Sequence, residues 1–216
     1  LRPSGGTLLK TPGGGTLALA PAAPARAQAA LPAAPDKMIE ALSNQILDRI
    51  RADKDLRDGD LRRLSQFVDE TVMPYVNFER MTALAVGRAW RTATPEQQKQ
   101  LMTEFRSLLL RTYAGALSSV KDQTVRVKPL RAAPEDTEVV VRTEIVQSRG
   151  DPIQLDYRME KHNPHWKIYD LNVLGVWLIE TYRNQFAQEI NARGVDGLVK
   201  ALGDRNRQFA AQGGKS

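Results

Sequence analysis

The chain has 216 residues, 42% of them hydrophobic and 26% charged, with a formal net charge of +6. These are globular values, and a domain of this size can bury a substantial core without cross-links. With no cysteine and only His162 and His165, disulfides, thiolate nucleophiles, iron–sulfur clusters and histidine-rich metal or catalytic centres are all excluded.

Residues 1–35 carry Arg2, Lys10 and Arg26 but no acid, and Ala, Pro and Gly dominate from Pro12 to Pro35. Without those three charges the rest of the chain holds about +3, too little for the electrostatic footprint of a nucleic-acid binder. Thr16 to Ala20 leads into Ala25-Arg26-Ala27-Gln28-Ala29, whose small-x-small triplets resemble signal-peptidase sites. The segment therefore reads as a signal-peptide remnant, with a mature start expected near Ala30; a flexible Ala/Pro tail is the alternative. No apolar run is long enough to predict a membrane-spanning helix.

A helical stripe of Ile39, Leu42, Ile46 and Ile50 follows Asp36, and a second, Leu61, Leu64, Val68 and Val72, runs between Asp58-Gly59-Asp60 and Pro74. A short helix is expected near Phe78 to Val86. Thr94-Pro95-Glu96-Gln97 places a capping Thr before a first-turn Pro, opening a long helix whose apolar face includes Leu101, Phe105, Leu108, Leu109, Tyr113 and Leu117.

At Thr124 the period changes to two. Val125 and Val127 begin it; Val139, Val141, Thr143 and Ile145 form the next strand, and Ile153, Leu155, Tyr157 and Met159 the third. Short turns, including His162-Asn163-Pro164, predict an antiparallel meander that closes with a strand from Trp166 to Val173. A helix carrying Leu178, Ile179, Tyr182, Phe186 and Ile190 runs to Gly194, and a last one carries Leu198, Val199 and Leu202. The predicted class is α+β: helices on one face of a curved, mainly antiparallel four-stranded sheet, an NTF2-like cone enclosing an apolar pocket, in one domain over residues 36–210.

No glycine-rich nucleotide loop is present, and the two histidines fall in a hairpin turn where they do not share a ligand face. Arg126, Lys128, Arg142 and Arg158 alternate with Glu144, Asp156 and Glu160 without exposed aromatic pairs. That pattern predicts cross-strand charge pairing and no nucleic-acid platform. Asp156 and Asp170 read as members of a solvated face, and no enzyme is expected.

Met73-Pro74-Tyr75-Val76-Asn77-Phe78-Glu79-Arg80-Met81 with Val86-Gly87-Arg88-Ala89-Trp90-Arg91 resembles two segments of the MlaC family of periplasmic phospholipid carriers. Trp166 to Val176, then Tyr182-Arg183-Asn184-Gln185-Phe186 and Gly194-Val195-Asp196-Gly197-Leu198, is similar to its C-terminal signature in order and spacing. Asn77 stands where members commonly have Asp, and Trp177 where they commonly have Ser. Trp177 is expected near the pocket edge. The resemblance implies a periplasmic, monomeric shuttle carrying phospholipid as cargo, with no cofactor and no metal. Its implied partners are an outer-membrane lipoprotein–porin complex and an inner-membrane ABC transporter with an MCE-domain subunit.

Two bare acyl chains in water would cost on the order of 20 kcal/mol, so a carrier must offer an apolar slot. The expected wall residues are Phe105, Leu109 and Tyr113 on the long helix; Val141, Ile145, Leu155, Tyr157 and Ile168 on the sheet; and Val173, Val176 and Tyr182 beyond it. Taken singly, each reads as ordinary core; as a set, some are expected to touch lipid. An NTF2-like small-ligand domain or enzyme is the alternative, and it would need a polar group inside the cone.

Overall fold

A computed structural model describes residues 31–213. Residues 1–30, with the cleavage triplet, lie outside the described residues, whereas Leu31 packs against the α1 cluster and Pro35 already belongs to the first helix.

Helix α1 (Pro35–Ala52) opens with Pro in its first turn and ends at Asp53, whose carboxylate accepts from Asp55 N and Leu56 N and so starts the short α2 (Lys54–Arg57). Asp60 caps α3 (Leu61–Thr71), and Pro74 forces the chain into a 3-10 turn at Met73–Tyr75. Asn77 caps α4 (Phe78–Val86), followed by the single turn α5 (Ala89–Thr92). The predicted Thr94 cap is a full capping box: its hydroxyl accepts from Gln97 N while the Gln97 side chain accepts from Thr94 N, opening α6 (Pro95–Ser118).

The sheet has five strands rather than four: β1 (Thr124–Val127), β2 (Glu138–Val146), β3 (Ile153–His162), β4 (His165–Val173) and β5 (Val176–Trp177), antiparallel in sequence order. The fifth escapes a periodicity argument because two residues show no period. Leu174 and Gly175 make its tight turn with φ of 55° and 90°. Glycine is at ease there, whereas the left-handed conformation strains Leu174.

Register sorts the two faces. Val127, Thr143, Leu155 and Val173 lie on one face with the rows Val141–Tyr157–Leu171 and Val139–Met159–Ile168. The opposite face carries Arg126–Glu144, Arg142–Asp156–Asn172 and Arg158–Asp170. Its expected charge pairing is present: Arg126 to Glu144 at 2.6 Å, Arg142 to Asp156 at 3.4 Å and Arg158 to Asp170 at 3.2 Å.

A bulge between β3 and β4 breaks the alternation, so that Ile168, Tyr169 and Asp170 are all buried in succession. Ile168 joins the apolar face, Tyr169 joins the helical core, and Asp170 reaches the start of α7 (Leu178–Gly213) by accepting from Ile179 N at 3.2 Å. Gly194 (φ 72°) breaks α7 where the first of the two predicted C-terminal helices was expected to end.

Candidate functional site

The apolar groups form separate clusters. In one, Met38, Ile39 and Leu42 of α1 pack on Val139, Val141, Met159, Trp166 and Ile168 of the sheet. In another, α4, α6 and α7 enclose Phe105, Tyr182 and Phe186, with Leu171 and Val173 of β4 against them. Phe105 meets the rings of Tyr182 and Phe186 edge-on at 5.1 and 5.2 Å. A third ties α1, α2 and α3 together through Ile50, Leu56, Leu64 and Phe67.

These clusters bound a seam. Helix α1 packs on β1 and β2, α4 on β4, and α7 on β4 and β5; the close neighbours of α6 are instead helices α2, α3, α4 and α7. The fully buried residues of α6 are Leu101, Phe105 and Leu108, and beyond them Leu110, Ala114 and Leu117 are half-buried against the third cluster. Leu109 and Tyr113 are half-buried, and Thr112 and Ala116 are exposed. Ile145 and Leu155 of the apolar sheet face are also half-buried and belong to none of the three clusters.

The eleven expected wall residues therefore divide. Phe105, Val141, Ile168 and Tyr182 are core side chains. Leu109, Tyr113 and Val173 are half-buried against the helical cluster, and Tyr157 against the α1 cluster. Ile145 and Leu155 lie at the seam, and Val176 is 53% exposed beside Leu174 at 69%, on the β4–β5 turn. An open cleft of about 400 Å³ between α4, α5 and α6, walled by Phe78, Trp90 and Met102, includes none of the eleven.

Tyr157 packs between the sheet and α1. Burial pushes its phenol up to about 12, against the lowering effect of a hydrogen bond with Ser43 and with a smaller contribution from the Asp156 charge. Its side chain nevertheless keeps accessible area. Polar atoms here are few, and Thr143 turns its hydroxyl to Leu155 O at 2.5 Å. Among the described residues there is no cluster of groups able to hold a metal ion, and no helix is long and apolar enough to cross a membrane.

Half-buried apolar side chains on α6 and on the sheet face suit a hydrophobic ligand. The family model described as MlaC protein matches residues 40–204, nearly all of the described fold. The chain belongs to the MlaC family. It is 24% identical over 171 residues to the intermembrane phospholipid transport system binding protein MlaC of Haemophilus influenzae, covering 78% of this chain and 80% of that one. To the toluene tolerance protein ttg2D of Pseudomonas putida it is 23% identical over 163 residues, covering 75% of each. The phospholipid-binding protein of Ralstonia solanacearum, solved in complex with a phospholipid, superposes with a TM-score of 0.77 at 50% identity, over 80% of this chain and 96% of that one.

Two positions where this MlaC-family chain departs from the common pattern have local explanations. Asn77 donates to Glu160 Oε1 at 2.6 Å while its own Oδ1 caps α4. An aspartate there would set two carboxylates against each other. Trp177 lies on the charged face of the sheet, under the Arg158 guanidinium at 4.0 Å, and not at the seam.

Glu160 is the hub of the connection between α4 and the sheet. Burial pushes its pKa up, but hydrogen bonds from His162, Asn77 and Arg80 outweigh that and hold it below the usual 4.5. Arg80 bridges Glu160 and Glu138 at 2.6 and 2.7 Å and stacks on Tyr169 at 3.8 Å. Because the folded value is depressed, this contribution to stability is complete above pH 4.5 and is lost as pH falls through the folded value. Urea titrations at descending pH are expected to show an acid decline that is shallower in Glu160→Gln; superimposable slopes would show that Glu160 carries none of it.

Proposed function

We propose that this chain is a periplasmic phospholipid carrier that accepts lipid tails between the C-terminal half of α6 and the apolar face of β2 to β4. The observation that supports the reading most is the set of apolar side chains left half-buried on α6 and on the sheet, Leu109, Tyr113, Ile145 and Leu155, in a chain half identical to a phospholipid-bound protein. Acyl chains would enter by separating the helical cluster from the α1 cluster, gaining roughly 0.8 kcal/mol per buried methylene. Of the expected wall, Leu109, Tyr113, Ile145, Leu155, Tyr157 and Val173 would touch tails. Phe105, Val141, Ile168 and Tyr182 would back them, and Val176 would stand at the rim.

No bond is made or broken: transfer is a partition between apolar sites. In this reading a monomer passes phospholipid between an outer-membrane lipoprotein–porin complex and an inner-membrane ABC transporter with an MCE-domain subunit, which keeps the outer membrane asymmetric. The names of the relatives, an intermembrane phospholipid transport binding protein and a toluene tolerance protein, support it. Protein purified gently from cells is expected to carry phospholipid that leaves only with organic solvent or denaturant. Native mass spectrometry showing ligand-free protein throughout would overturn the carrier reading.

A further inference from the structure

Three tyrosines approach the seam, and their hydroxyls differ. The phenol of Tyr157 is hydrogen-bonded with Ser43, and that of Tyr182 with Thr112. The phenol of Tyr113 has no hydrogen-bond partner among the described residues; its one polar relation is electrostatic, with Tyr182. Burial raises its pKa, so it remains a protonated donor at neutral pH. A half-buried hydroxyl with no protein partner keeps its proton available to an acceptor brought beside it.

The position of Tyr113 says what that would be. It lies two turns beyond Phe105, about 12 Å along the helix axis, and Phe105 sits in the aromatic cluster that closes the slot's floor. Beside it Thr112 and Ala116 are exposed. Tyr113 thus stands where α6 passes from buried to hydrated, with apolar Leu109 on the floor side. A lipid whose tails fill the floor brings its first polar atoms, the acyl ester carbonyls, to this level; the phosphate follows farther out.

We infer that the Tyr113 hydroxyl donates a hydrogen bond to an acyl ester carbonyl of the bound lipid, making it the residue by which the slot distinguishes ester-linked from ether-linked chains. The inference rests on the carrier reading and names a specificity within it. Tyr157 and Tyr182 are less suited, since each already has a protein partner.

The full chain is incubated with mixed vesicles of diester and diether phosphatidylglycerol, matched as palmitoyl and hexadecyl chains, and the bound lipid is quantified by mass spectrometry. Wild type is expected to enrich the diester by about threefold to tenfold, the value of one net hydrogen bond. Tyr113→Phe is expected to bring the ratio near unity. Leu109→Ala is expected to lower both lipids and preserve the ratio. Absence of enrichment in wild type, or enrichment surviving in Tyr113→Phe, would overturn the assignment. A phenol directed at the phosphate would weaken both lipids equally in Tyr113→Phe and leave the ratio unchanged, which overturns it too. Uptake of neither lipid by wild type would instead remove the carrier reading on which the inference stands.

Discussion

Val141→Glu is expected to leave little folded protein, while Leu155→Arg is expected to fold and lose its phospholipid. Both residues occupy the apolar period of adjacent strands and share one face of the sheet. They differ in what covers them. Val141 is wholly inaccessible among Met38, Ile39 and Leu42 of α1, where a carboxylate has neither water nor a counter-ion. Such a group costs several kcal/mol, about half or more of a typical domain's stability. Leu155 keeps accessible surface at the seam, so an arginine there can extend its guanidinium toward water while its charge disfavours adjacent acyl chains. Thermal melting and bound-lipid content separate the two. If Leu155→Arg melted as low as Val141→Glu, or kept its full lipid, Leu155 would belong to the core and not to the slot.

Asp170→Ala is expected to destabilise the fold by about 3 kcal/mol, the magnitude of a buried acceptor removed from a charged partner. Asp170 is fully buried; its Oδ1 accepts from Leu171 N at 2.8 Å and Ile179 N at 3.2 Å, and its Oδ2 pairs with Arg158. Alanine orphans the start of α7 and leaves Arg158 over Trp177 without its counter-charge. Asp170→Asn keeps an oxygen for the two amides and is expected to cost about 1 kcal/mol.

The pH dependence provides a second reading of the same group. Burial raises the Asp170 pKa, and the two backbone amides and Arg158 only partly offset it. A raised folded value means that the contribution is complete below the usual 3.8 and is lost as pH rises through the folded value. The stability of wild type minus that of Asp170→Asn is therefore expected to shift in favour of wild type as pH falls toward 3.8. Equal stability of Asp170→Ala and wild type in urea titrations would show that α7 does not depend on this anchor.

The element order was legible in the sequence because it depends on local periodicity. Thr94 and Gln97 specify the start of α6 within four residues of chain, and the alternation of Val139, Val141, Thr143 and Ile145 specifies β2 and its buried face. Charge alternation likewise foretold the ion pairs of the outer face, since residues paired in register must meet there. Elements too short to show a period, α2, α5 and β5, were not legible. Nor was the β4 bulge, because one extra residue changes which side chains face inward without changing their composition.

The site was legible only as a set of apolar positions. Phe105 and Leu109 lie one turn apart on α6 and read alike as sequence, as do Val141 and Leu155 on neighbouring strands, yet one of each pair is core and the other borders the seam. Apolar periodicity reports that a side chain turns away from water; it is silent on whether protein or an exchangeable ligand meets it. The sequence by itself determined the α+β class, the order of its elements and, through Trp166 to Val176 and its companion motifs, the family. Tertiary structure alone decided which of these apolar side chains are core and which stay half-buried, because that depends on where α1, α4 and α7 attach to the strands, a sum of long-range contacts that no local window of residues contains.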